Sequence, residues 1–88
     1  MNNAKLEWQS LWDAMDNFPD IWHETTEKMY FEMLCVLPPR AMIGDNFLVG
    51  EPLRHDANGH AVYSCFTKFG DTYKAKNLTV NRFFEMFR

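Results

Sequence analysis

The chain has 88 residues, 47% of them apolar and 16% aromatic, with a net charge of −3. This is one domain's worth of polypeptide, able to bury about 60–65% of its surface on folding. It is too hydrophobic for a disordered chain. Its isoelectric point of 5.5 lies well below the basic footprint of typical nucleic-acid binders.

No apolar run near the N-terminus resembles a signal peptide, and Met33–Pro39 is far too short to span a bilayer. Cys35 and Cys65 lack CxxC spacing, so the expectation is a cytoplasmic protein with two reduced cysteines in its core. The charge is uneven. Residues 1–36 carry two basic and seven acidic groups, a net of −5, and residues 37–88 carry seven basic and five acidic groups, a net of +2. An acidic first half therefore precedes a mildly basic end, either as complementary docking surfaces or as faces that pair with each other.

In chain order, Trp8, Leu11, Trp12 and Met15 form one apolar stripe, which predicts a first helix over residues 4–15 with Asn3 as cap. Pro19 disfavours helix at the residue before it and suits the first turn of a second helix, which is predicted to run to about Val36. Ile21, Trp22, Thr25, Met29 and Met33 would mark its buried side, and Leu37-Pro38-Pro39 stops it. The second half reads as strands. Residues 42–49 hold a Gly-Asp-Asn turn followed by Phe47-Leu48-Val49. His55–His60 contains Asn58-Gly59, a strong hairpin signal. Residues 61–68 and 72–77 give two more strands around the turn at Gly70. Thr79 reads as the N-cap of a last short helix, with Val80, Phe83, Phe84 and Phe87 as its stripe. The expected fold is a single α+β domain over residues 1–88: two N-terminal helices, a three-stranded antiparallel meander covered on one face, and a short C-terminal helix. Trp12, Met29, Met33, Phe47, Val62, Phe66 and Phe84 are its expected core.

Chemical motifs are sparse. His55, Asp56 and His60 put two imidazoles and a carboxylate within six residues, but a metal wants three or four converging ligands, and a solvated turn is the expectation. Cys65, Ser64 and His60 are the only nucleophile and base candidates close in sequence, and Cys65 falls mid-strand rather than on an elbow. Phosphate-binding and hydrolase signatures are lacking. A non-enzymatic protein with no cofactor is expected. Lys68, Tyr73, Lys74, Lys76 and Arg82 interleave cations with an aromatic ring, as a base-stacking surface would. Asp13, Asp16, Asp20 and Glu24 form the acidic alternative, a handle for a protein partner. Aromatics and methionines anchor interfaces, and a two-sided final helix adds the expectation of a homodimer or a docked partner.

The segments Met33-Leu34-Cys35-Val36-Leu37-Pro38-Pro39, Phe47-Leu48-Val49-Gly50-Glu51-Pro52, then His55, Gly59, Val62-Tyr63, Phe66, Tyr73-Lys74-Ala75 and Leu78-Thr79-Val80, resemble a family of small uncharacterised proteobacterial proteins, a domain of unknown function often carried on plasmids and other mobile elements. The likeness covers about residues 29–84. It implies an α+β fold and a mobile-element context, and it assigns no catalytic residue. By analogy with accessory proteins of such elements, it implies binding to a host or phage protein, as inhibitors of CRISPR or restriction complexes do. The leading expectation is thus a protein-binding module working through the acidic set. The alternative is a nucleic-acid-binding regulator using the basic set, and third is a metal- or cysteine-dependent enzyme.

Overall fold

A computed structural model describes residues 13–18 and 20–88. The strands are β1 (His23–Thr25), β2 (Ala41–Ile43), β3 (Asn46–Leu48), β4 (Arg54–His55), β5 (Ala61–Phe69) and β6 (Thr72–Thr79). The helices are α1 (Glu27–Val36) and α2 (Val80–Phe87), and residues 13–15 are also helical. The strands form one antiparallel sheet in the order β1-β6-β5-β3-β2, with β4 also paired to β5.

This corrects the expected architecture. The molecule is mostly a six-stranded antiparallel sheet with short helices, in place of a three-stranded meander behind two N-terminal helices. The largest change lies in residues 20–26. Asp20 has φ +55°, a left-handed backbone that interrupts any helix. Residues 23–25 then pair with β6, placing His23 opposite Ala75 and Thr25 opposite Tyr73. The helix starts only at Glu27, where the Thr26 hydroxyl accepts from Met29 N at 3.0 Å. Thr25 is β-branched, which favours strand, and Thr26 carries the hydroxyl that a helix N-cap needs. The remaining additions are as short: β2 and β3 join in a hairpin through Gly44, at φ +60°, and β4 has two residues. Of the first predicted helix, residues 4–12 and Trp12 lie outside the described residues.

The sheet is covered on both faces. Alternate residues of a strand point to opposite faces, and β5 is buried continuously from Val62 to Thr67. Phe66 joins Phe47, Val49, Ala75 and Tyr73 beneath Met15, Tyr30 and Met33. Cys65 and Tyr63 join Leu48 and Leu78 beneath Phe83, with Trp22, Met86 and Phe87 packed around them. One helix closes each face, so the expectation of a single covered face is also corrected.

Met33, Phe47, Val62 and Phe66 are buried, whereas Met29 is only half-buried. Phe84 is exposed because the Thr79 cap turns Phe83 inward instead. Cys35 is exposed, on the outer side of α1, and only Cys65 is a core cysteine; both are free. Gly50 explains the Gly-Glu-Pro break after β3. A Cβ there would collide with the carbonyl oxygen of Pro38, which belongs to the backbone and cannot swing aside.

Two stability tests follow from this packing. Phe66 is fully buried and stacks on Phe47 with centroids 5.5 Å apart. Phe66→Ala is expected to cost about 3–5 kcal/mol and Phe84→Ala under about 1 kcal/mol, read from urea midpoints; equal losses would refute the assignment of inward and outward rings. Gly50→Ala is expected to cost about 1–3 kcal/mol by overpacking against Pro38, and an unchanged midpoint would show that the approach is not needed.

Candidate functional site

The acidic set does not act as one free patch. Asp13 and Glu24 are exposed. Asp16 Oδ1 lies 3.3 Å from Arg54 Nε, and Asp20 Oδ1 lies 2.9 Å from Lys76 Nζ. Two of the four carboxylates are therefore engaged with cations of the sheet. This realises the second reading of the charge asymmetry for these two residues.

The basic set is not gathered on one surface either. Lys68 sits opposite Tyr73 across β5 and β6, while Lys74 and Lys76 point to the other face. The Lys76 side chain is only 7% exposed, bound to Asp20 and set 4.7 Å over the Trp22 ring. Tyr73 is buried and donates its hydroxyl to Glu27 Oε2 at 3.2 Å. Burial and the Glu27 carboxylate hold that phenol above its ordinary pKa. A ring so enclosed has no face for a base. Arg82 stands in the first turn of α2, on another part of the surface.

The His55–His60 segment is a tight turn. Asp56 Oδ1 accepts from the backbone N–H groups of Asn58 and His60, both at 2.9 Å. The His60 bond first, then that from Asn58, holds the carboxyl below its usual range. The carboxylate thus serves the turn, as Asx residues commonly do. Among the described residues, no three His, Cys, Asp or Glu side chains converge closely enough to hold a metal ion. Burial pushes the Cys65 thiol well up from its ordinary pKa, so it remains protonated, while thiol nucleophiles need the thiolate.

The edge strand β1 gathers more. Phe18 sets its ring 5.5 Å from His23, near the start of β1. Phe31 of α1 sets its ring 6.2 Å from Tyr73, which pairs with Thr25 at the end of β1. Both rings are nearly half exposed, and Ile21 is 56% exposed. On the other face, Phe69 is exposed beside Trp22. A groove lined by Glu24, Glu27, Lys68, Asp71 and Tyr73 opens at the same end, with three carboxylates against one ammonium. Sequence reading missed this arrangement because it assigned residues 20–26 to a helix. The available signal was Thr25-Thr26, a β-branched pair directly before a glutamate.

No family model, curated protein or solved structure matches this chain. No helix among the described residues is long and apolar enough to cross a membrane.

His23 anchors this edge and supplies a pH test. Its Nδ1 is buried without a hydrogen-bond partner, and burial holds the imidazole below its ordinary pKa. The unfolded chain therefore takes up this proton before the folded one does as pH falls. The stability contributed by neutral His23 is present above the unfolded value of about 6.5 and is lost as pH falls from there through the folded pKa. The urea midpoint is expected to drop across that window in the native chain and to drop less in His23→Gln. Parallel pH profiles for the two proteins would exclude His23 as the cause.

Proposed function

We propose that this chain is a non-enzymatic protein-binding module whose contact surface is the outer edge of β1. The observation that carries the reading is the set of exposed apolar side chains, Phe18, Ile21, Phe31 and Phe69, along a strand whose outer edge has no partner among the described residues. Large exposed apolar groups clustered on one region mark interaction surfaces, and an open edge offers backbone donors and acceptors to an added strand. The acidic groove beside it sets the sign of the partner. A segment carrying Lys or Arg beside apolar residues would meet Glu24, Glu27 and Asp71 with complementary charge.

This refines the acidic handle. Reversing Asp16 or Asp20 would also release Arg54 or Lys76, so Glu24 and Asp71 give the cleaner test. The mobile-element resemblance supports the same class of function, an accessory protein that inhibits or regulates a host defence complex, and the β1 edge is the surface we assign to it.

A photo-crosslinking side chain placed at Ile21 and expressed in the native host is expected to capture a defined protein that the same group at Asn58, on the β4–β5 turn, does not. With that protein purified, Glu24→Lys/Asp71→Lys is expected to slow association several-fold and to flatten its salt dependence. A folded double variant that binds at the native rate and with native salt dependence would refute this surface.

A further inference from the structure

The path of the sheet ends in β1 on one side and β2 on the other. The two ends are guarded differently. β1 carries a carboxylate, Glu24, at its centre. β2 is Ala41-Met42-Ile43, without charge or proline. Native sheets usually protect an open edge with charged side chains or proline, and β2 has neither. Met42, at its centre, is 52% exposed. No strand among the described residues pairs with its outer side.

The hairpin turn fixes which backbone groups point outward. Gly44, at φ +60°, and Asp45 form a two-residue loop between Ile43 and Asn46, which pair. Such a loop is closed by a hydrogen-bonded pair, and hydrogen-bonded pairs alternate with non-bonded ones along the ladder. Ile43 therefore spends its N–H and C=O on Asn46, and those of Met42 are aimed away from β3. A second β2 strand can take them. In an antiparallel pairing about a two-fold axis at Met42, each Met42 exchanges both backbone bonds with its copy. An axis normal to the sheet also keeps like faces together.

The side chains match in that register. Ala41 and Ile43 are half-buried and pack against the cluster of Leu48 and Phe83. Ala41 set against Ile43 of the copy continues that apolar layer across the junction, and Met42 meets Met42 on the other face. Arg40 comes opposite Gly44 of the copy, beside Asp45. Arg40 and Asp45 are both exposed, and neither makes an ion pair among the described residues. The pairing thus sets one Arg40–Asp45 contact at each end of the junction, with complementary charge. Asp45 is fixed from within its own chain, since its carbonyl oxygen accepts the Tyr30 hydroxyl. A slip of the register would set Arg40 opposite Met42, or Ala41 opposite Asp45, and lose both matches.

We infer that β2 is a self-pairing edge through which two copies of this chain join into one continuous sheet. The assembly closes at a dimer, because the two-fold contact consumes both β2 edges. Three residues per strand make a small contact, as in weak, reversible complexes. The inference is independent of the proposed β1 surface, because both β1 edges are left open at the far ends of the joined sheet.

Sedimentation equilibrium of the full chain, up to millimolar concentration, is expected to show a single reversible monomer–dimer equilibrium. Met42→Lys sets two ammonium groups directly opposite each other. It is expected to leave only monomer, with an unchanged urea midpoint, because the side chain is already exposed. Arg40→Asp and Asp45→Arg are each expected to weaken the dimer about tenfold. The double variant, which exchanges the charges across the axis, is expected to restore native affinity. A chain that stays monomeric throughout would overturn the proposal. So would assembly beyond a dimer, native dimerisation in Met42→Lys, or a double variant that dimerises no better than the single ones.

Discussion

Eight consecutive antiparallel pairs join β5 to β6, from Val62 opposite Thr79 to Phe69 opposite Thr72. Everything else is attached to this ribbon. β1, β3 and β4 each add two or three residue pairs to one of its sides, β2 is attached through β3, and each helix lays an apolar stripe on one of its faces. A two-stranded ribbon is marginal in water by itself. Here it becomes the middle of a core, because Phe66 and Cys65, neighbours in sequence, are both fully buried on opposite sides. The short strands in turn are stable only because the ribbon presents a ready-made edge.

Burying a ribbon on both faces leaves no water for its polar side chains, and each must find a partner in the protein. Thr67 donates its hydroxyl to Asn46 Oδ1, tying the first residue of β3 to β5. Lys76 is matched by the Asp20 carboxylate and the Trp22 ring, and Asn77 holds the Met15 carbonyl. Asp20, Trp22 and Met15 all precede α1. The segment before that helix is thus held to the sheet through polar residues of β6, which accounts for a strand at β1 where the apolar pattern alone suggested helix. Ser64 and Asn77 are direct cross-strand partners, and each keeps an unpartnered buried oxygen. Opposed residues have Cβ atoms about 4.5–5.5 Å apart, so a rotation of the Ser64 hydroxyl would bring it to Asn77 Oδ1.

How much of this was legible in the sequence depends on element length. The longest strands, the Asn58-Gly59 and Gly70 turns, and the Thr79-capped last helix all carry local signals strong enough to read. β1, β2 and β4, at two or three residues each, are too short to show an alternating pattern and exist through pairing alone. The face assignment of β5 was readable from its alternation. That both faces are covered was not, since a run such as Val62–Thr67 mixes polar and apolar residues on each side. The same limit hid the candidate surfaces. Glu24 was visible as a carboxylate, but its position on an open edge beside Phe18 and Ile21 requires the β1–β6 register. The ion pair of Arg54 with Asp16 likewise depends on β4, which the sequence pattern does not show.

The uneven charge takes on a more specific meaning once the pairs are placed. Asp16 and Asp20 face Arg54 and Lys76 across the join between the first segment and the sheet, so part of the asymmetry is consumed within the chain. Their contributions differ. In the Asp16–Arg54 pair the carboxylate is half exposed and the guanidinium a third exposed, and pairs open to solvent contribute about 0–1 kcal/mol. Lys76 is buried, so removing Asp20 would leave an ammonium with only the Trp22 ring beside it, and breaking a buried pair from one side costs about 3–5 kcal/mol. That figure is an upper bound here, because Asp20 is half exposed. At the Gly70 end of the sheet, near Phe31 and Phe69, Glu24, Glu27 and Asp71 share a groove with a single ammonium, that of Lys68. On the contact surface proposed above, that excess would favour a basic partner, and Glu24 facing its own copy in a symmetric strand pairing would disfavour self-association along β1.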